Sequence, residues 1–428
     1  MDLRTLRSQS VACAVMLLAF AVGRSCMQAA SSIVLTDSAQ LLDGGESVTV
    51  IDSDGDGDLD VIIGQKLYEN PGSGWFVSRG SLTDNSVWRV AAGDVDGDAT
   101  TDLWVAGRGE NNNWLHRNGG SHDFSNRYQL PEIEELRQVM LIDLNADGHL
   151  DAWTIRRGNA VLANQTSQVW LNDGAGVFTA AGEPLATPHA RSVAFADLNQ
   201  NGLPDAVVTM STGIGNSALP DTIWLNEGGG LFQPSHHSLP ATVSEGIALG
   251  DLNGSGFHDI VVAQLGRFQP LFNDGNGVFT PGAALLDNLY GQSVVMADFD
   301  GDGDLDVLVT NRFADRPGRL FINDGQGGFS MSEQAMDTGS NLGAAVDDFN
   351  GDGSTDVVLA NITHGRVLLN GISAGLEWSV QNSETLVITF QGILETADQI
   401  EGPYFIVPDY ESPEVIALDA AQRFFRVR

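Results

Sequence analysis

"DSDGDGDLD", Asp52 to Asp60, places an acid at five of nine positions and glycine at two of the others. Carboxylates crowded like this repel one another and raise each other's pKa, so the pattern makes sense when a cation sits among them. Calcium suits it, because that ion takes roughly six to eight oxygen ligands in irregular geometry. Side-chain oxygens stand at positions 1, 3, 5 and 9 (Asp52, Asp54, Asp56, Asp60), and position 7, Asp58, offers its backbone carbonyl. Gly57 at position 6 permits the sharp reversal that turns successive oxygens inward. An EF-hand would need a glutamate at position 12, where Ile63 stands, and the loop runs into the strand-like "DVIIG" instead of a helix.

The loop recurs. Its further copies are "DVDGDATTD" from Asp94, "DLNADGHLD" from Asp143, "DLNQNGLPD" from Asp197, "DLNGSGFHD" from Asp251, "DFDGDGDLD" from Asp298 and "DFNGDGSTD" from Asp348. Loop starts are spaced by 42, 49, 54, 54, 47 and 50 residues, the period of a four-stranded propeller blade. The same positions give the candidate ligands Asp94, Asp96, Asp98, Thr100 and Asp102 in the second copy, and Asp143, Asn145, Asp147, His149 and Asp151 in the third. The fourth and fifth offer Asp197, Asn199, Asn201, Leu203 and Asp205, then Asp251, Asn253, Ser255, Phe257 and Asp259. The last two offer Asp298, Asp300, Asp302, Asp304 and Asp306, then Asp348, Asn350, Asp352, Ser354 and Asp356. Thr100, His149, Leu203, Phe257 and Ser354 stand at position 7 and enter through their carbonyls.

A second motif keeps step: "WLNDGAGVF" at Trp170, "WLNEGGGLF" at Trp224, "LFNDGNGVF" at Leu271 and "FINDGQGGF" at Phe321. Asn-Asp-Gly between apolar runs signals a hairpin turn, since Asn and Gly accept positive φ. Each repeat reads strand, acidic loop, strand, variable loop, strand, turn, strand. The seventh lacks its fourth strand before the chain changes character at Gly371, and "IVLT" (Ile33 to Thr36) is expected to supply it. The fold class is therefore all-β: a seven-bladed propeller closed by an N-terminal strand, with no open sheet edge.

Loop and "NDGxGxF" motif together resemble the FG-GAP repeats of integrin α-subunit propellers and the related VCBS repeats of bacterial secreted proteins, over residues 33 to 370. That resemblance implies a calcium-stabilised propeller outside the cytoplasm and leaves activity open. Ala99 departs from it at loop position 6, and Asn253 and Ser255 replace carboxylates in the fifth loop. Affinity rises with ligand charge, so loops 1, 2 and 6 with four carboxylates rank above loops 3 and 7 with three and loops 4 and 5 with two. Up to seven Ca2+ are expected, which would bring the formal charge of −35 to about −21.

"MDLRTLR" followed by "VACAVMLLAFAV" reads as a secretory signal over residues 1–30; its apolar run is too short to span a bilayer. Cleavage near Ala30 would remove Cys13 and Cys26, leaving a chain without cysteine; acylation of Cys26 is the minority reading, with Arg24 against it. The expected location is secreted, periplasmic or cell-surface. Residues 31–370 form the propeller, 371–376 a linker and 377–428 a small β module that alternates apolar and polar residues. This module resembles a C-terminal module of bacterial secreted proteins.

Lys66, Arg108, Arg157 and Arg312 each lie six residues after the last Asp of their loop, with Arg267 eight after its own. On a closed ring they form a basic collar, either an anion site for acidic glycans or a set of ion pairs that rigidify the ring. Trp104, Trp114, Trp153, Trp170 and Trp224 keep the repeat register and read as packing residues, whereas Trp75 and Tyr290 are candidates for stacking on a sugar. His236 and His237 have no third metal ligand at useful spacing. The functional expectation is a binding or adhesion module for a glycan or an extracellular protein, without catalytic residues. The alternatives are a polysaccharide lyase or hydrolase and a structural part of an envelope or matrix. Nucleic acid is excluded as a partner by the acidity, and oligomeric state is left open.

Overall fold

The computed structural model describes residues 33–109, 112–130, 135–157, 165–211, 219–237, 239–313, 315–334, 336, 339–371, 377–382, 385–389, 394–397, 405–406, 414–417 and 424–427. Within them the regular structure is β-strand in antiparallel sheets, with no helix. The signal segment expected at 1–30 and the linker beyond Gly371 lie outside the described residues, as do 158–164 and 212–218 in the variable loops of repeats 3 and 4.

Each repeat has a strand that begins at the last Asp of its loop: Asp60–Ile63, Asp102–Gly107, Asp151–Arg156, Asp205–Met210, Asp259–Phe268, Asp306–Asn311 and Asp356–Asn361. Such strands as "DVLVTN" and "DVVLAN" are buried along their full length. A strand covered on both faces reads as an unbroken β-branched run, as these do. In repeat 2 the order is Val87–Gly93, Asp102–Gly107, Asn113–Arg117 and Asn126–Gln129. Repeats 1, 3 and 4 form four-stranded sheets in the same order.

Repeats 5 and 6 depart from this. Asp259–Phe268 continues through "LGRF" and pairs with Leu285–Ala297, matching Leu265 to Tyr290 and Phe268 to Leu285, so two four-strand sets join in one eight-stranded sheet. In repeat 7 the place beside His364–Asn370 is taken by Leu35–Asp43, with Leu35 opposite Asn370 and Asp43 opposite His364. This strand starts two residues later than Ile33 and runs on to Asp43. A bulge between Asp37 and Leu41, with Ala39 at φ 61, takes up the extra length and keeps "LLD" paired.

Apolar cores lie between neighbouring repeats. Ile62, Leu67, Val90 and Leu103 join repeats 1 and 2, and Trp104, Leu136 and Val139 join 2 and 3. Val61, Tyr68, Phe349 and Val358 join repeat 1 to repeat 7. Trp104 and Trp153 are wholly buried, each edge-on to a phenylalanine at 4.8 and 5.0 Å (Phe178 and Phe232), so they serve packing. Full burial of a large apolar side chain stabilises by about 1.5–3 kcal/mol. The first strands touch in chain order from repeat 1 to repeat 7, and that of repeat 7 touches that of repeat 1.

Leu35–Asn370 forms one compact unit. In the other, Glu377–Asn382, Thr385–Thr389 and Glu414–Ala417 make one three-stranded sheet, and Leu394–Ala397, Phe405–Ile406 and Phe424–Val427 make a second. No helix among the described residues is long and apolar enough to cross a membrane.

Candidate functional site

All seven loops adopt one turn, built by their own side chains. The position 1 carboxylate accepts from the amide at position 6, as at Asp251 from Gly256 (2.7 Å) and Asp348 from Gly353 (2.7 Å). Position 5 accepts from the amide at position 7, including Asn201 from Leu203 (2.9 Å) and Ser255 from Phe257 (3.3 Å). Neutral side chains therefore hold the turn as charged ones do. Position 6 requires positive φ, from 82 to 95 in the six glycines, and Ala99 stands there at 68.

Position 9 has a task that spacing did not disclose. Asp60, Asp102, Asp151, Asp205, Asp259, Asp306 and Asp356 are buried to within 1%. One oxygen accepts from the amide at position 2, at 2.9–3.1 Å, and the other from the amide of an asparagine ending the third strand or following it, at 2.7–2.9 Å. Burial pushes all seven carboxyls up, Asp306 and Asp356 to about 7, against the pull of those amides.

The asparagines are Asn70, Asn118, Asn172, Asn226, Asn273, Asn323 and Asn370. Each donates its side-chain amide to the position 2 carbonyl of the preceding repeat's loop, at 2.7–3.0 Å: Asn118 to Ser53, Asn172 to Val95, Asn226 to Leu144, Asn273 to Leu198, Asn323 to Leu252 and Asn370 to Phe299. Asn70 of repeat 1 donates to Phe349 of repeat 7 at 2.7 Å. Every acidic loop is thus hydrogen-bonded to the next repeat.

In three of the loops carboxylate oxygens converge. Carboxylate oxygens of Asp52, Asp54 and Asp56 come within 4.8 Å of one another, as do those of Asp94, Asp96 and Asp102 and those of Asp298, Asp300 and Asp302. These are the three loops with four carboxylates. In the second, Asp96 Oδ1 is buried without a hydrogen-bond partner, an orphaned acceptor that a hard cation would satisfy. Arg117 stands 3.2 Å from the other Asp96 oxygen. In the sixth, burial and then the Asp302 charge push Asp300 up. The all-oxygen donor sets suit a hard cation such as calcium.

Sequence reasoning missed Glu69 and His122. His122 Nε2 lies 3.3 Å from Asp54 and 3.0 Å from Glu69, while Nδ1 contacts Ser53 Oγ at 2.5 Å. Spacing offers no signal for it, because Asp54 and His122 belong to different repeats. A signal for the asparagines was present: they recur in all seven repeats, with or without the Asn-Asp-Gly turn.

The basic positions form ion pairs in three cases of five. Lys66 is 2.5 Å from Asp43, Arg108 is 2.5 Å from Glu46 and Arg157 is 2.9 Å from Glu135. Arg108 and Arg157 meet on Trp88, at 3.8 and 4.4 Å from its ring centre. Arg267 donates to Gln264 and Arg312 to Gln292, at 3.1 and 3.4 Å. Trp75 is exposed (55%), whereas Tyr290 packs edge-on to Phe313 with Arg316 over its ring.

Residues 94–154, 251–309 and 298–359 match the family model of the FG-GAP-like repeat. No curated protein matches the chain. Among solved structures, BBS1N in complex with ARL6DN is similar at 12% identity and a TM-score of 0.52, covering 79% of this chain and 97% of that one. An Agrocybe aegerita lectin that recognises non-reducing terminal N-acetylglucosamine aligns at 18% identity and a TM-score of 0.48, over 78% of this chain and 86% of its own. The chain carries FG-GAP-like repeats in three places, on a fold it shares with β-propellers.

Proposed function

We propose that this protein is a calcium-binding, seven-bladed propeller, closed by its N-terminal strand, that acts outside the cytoplasm as a binding or adhesion module for a glycan or an extracellular protein. The observation that carries the calcium reading is the convergence of carboxylate oxygens within 4.8 Å in loops 1, 2 and 6. Closure is supported by the pairing of Leu35–Asp43 with His364–Asn370 and by the hydrogen bond from Asn70 to Phe349. The proposed ligands are the loop residues named from the sequence, at positions 1, 3, 5, 7 and 9, with the loops of Asp52 and Asp298 holding the tightest ions. Calcium there would neutralise the carboxylates, and the asparagine bonds would tie each loaded loop to the next repeat.

The binding role rests on a rigid ring that presents variable loops, a common division of labour in proteins that recognise ligands. The lectin's sugar is not carried over to this chain. A lyase or hydrolase would need an acid and base in one repeat; Arg156 and Arg157 are the charged residues of the long loop in repeat 3. Secretion follows from the segment at 1–30. A glycan array probed in millimolar calcium and again with chelator tests the binding role. Binding that calcium switches on supports a lectin-like module. Silence under both conditions, with calcium still needed for folding, would remove the glycan and leave a protein partner.

A further inference from the structure

A cavity of about 150 Å³ lies among the first strands of repeats 2 to 6, apart from the metal loops, and its wall carries Arg89, Arg137, Arg191, Glu245, Gln138 and Gln292. Three guanidinium groups line the cavity against one carboxylate in its wall, in a chain whose formal charge is −35; Glu46, paired with Arg108, adds negative charge beside Arg89. Burying like charges together is costly unless something of opposite sign joins them. Glu245 makes only long ion pairs with two of the three arginines. It stands 3.6 Å from Arg137 Nη2 and 3.9 Å from Arg191 Nε, beyond hydrogen-bond length, and its Oε2 is buried without a hydrogen-bond partner.

The arginines are anchored by backbone carbonyls. Arg89 donates from Nη1 to Glu46 and Trp88 at 3.1 and 2.9 Å, Arg137 from Nε to Arg191 at 3.3 Å, and Arg191 from Nε to Ser211 at 2.8 Å. Among the described residues the terminal nitrogens of Arg191 have no hydrogen-bond partner. Their donors are fixed in place and unspent. Burial, and next the Arg191 charge, push the Arg137 guanidinium down to about 9, against the pull of Glu245.

We propose that this cavity binds one small oxyanion, a sulfate, phosphate or carboxylate group, held by the forks of Arg137 and Arg191 with Arg89 and Gln292 completing the wall. The volume corresponds to about five water molecules, enough for such a group and a few waters. The anion is either a free ion or the acidic group of a larger ligand. This inference does not rest on the calcium or adhesion reading, because its residues are separate from the loops.

Equilibrium dialysis of the calcium-loaded full chain against labelled sulfate, with chloride holding ionic strength constant, tests it. One sulfate per chain is expected. Arg137→Gln should weaken binding about tenfold or more, the loss of a charge-assisted pair. Glu245→Gln, which keeps shape and removes the opposing charge, should tighten it several-fold. That opposite sign keeps the test decisive where Arg137→Gln fails to fold, since an arginine cluster that merely braces the strands gives no gain in sulfate affinity. A sulfated or uronic oligosaccharide that displaces the label assigns the site to a group on a larger ligand, and displacement by free ions alone assigns it to an ion; either result supports the site. No saturable sulfate binding, or equal binding by the native chain and both variants, would overturn it.

Discussion

Asn226 serves two repeats with one side chain. Its amide reaches the Leu144 carbonyl of repeat 3 while its backbone amide holds Asp205 in repeat 4. Asn226→Ala leaves that buried carbonyl unpaired and is expected to lower stability by about 1–3 kcal/mol in urea unfolding; a change below a few tenths would show the bond to be incidental. Ala99, at φ 68, occupies a turn position that six loops give to glycine. Ala99→Gly should relieve strain and raise stability by up to about 1 kcal/mol, and a loss of stability would contradict the account. At this scale the repeated aspartates were easy to read, since like charges crowded in one loop stand out in a sequence. The asparagines hid behind a second meaning, because Asn-Asp-Gly is also a sound turn signal. Arg89, Arg137 and Arg191 hid because they drift in register, Arg89 standing five residues before its loop and the others six.

The loop is the element on which the proposed metal binding and pH meet. In calcium-free buffer the folded protein keeps a proton on Asp306 and Asp356 up to about pH 7, whereas the unfolded chain loses it near 3.8. The native state then binds more protons between those values, so stability falls as pH rises through the window. Bound calcium needs the ionised form, so in excess calcium the trend should reverse. Melting temperatures at pH 5 and pH 7, with and without calcium, check both slopes; a calcium-free melting temperature that rises with pH would contradict the burial argument. Asp300→Asn should weaken one of the tightest sites about tenfold in calcium titration, by removing one of four charges. The strand pattern of each repeat was legible because buried strands read as apolar runs. The union of repeats 5 and 6 was not, since "LGRF" and "LLDNLY" look like loop until they are placed side by side.

Over the whole molecule, Val61 and Tyr68 pack with Phe349 and Val358, and Leu35–Asp43 covers the edge of His364–Asn370. Deleting residues 33–43 would expose that edge, so gel filtration should find aggregates or dimers where the full chain runs as a single species. The repeat period made the architecture legible from one sequence, because each unit buries its faces only against the next. A binding partner was not legible in the same way, since what a ring of this kind recognises depends on a few side chains set by loops of no fixed pattern. The proposed calcium would tie these scales together: each site filled a hundredfold above its dissociation constant would add about 2.7 kcal/mol. The most direct test is thermal unfolding of the full chain in calcium-free buffer, then with calcium, with magnesium as control. The account predicts a large, saturable rise in melting temperature with calcium and little with magnesium. Superimposable curves in all three buffers would contradict it.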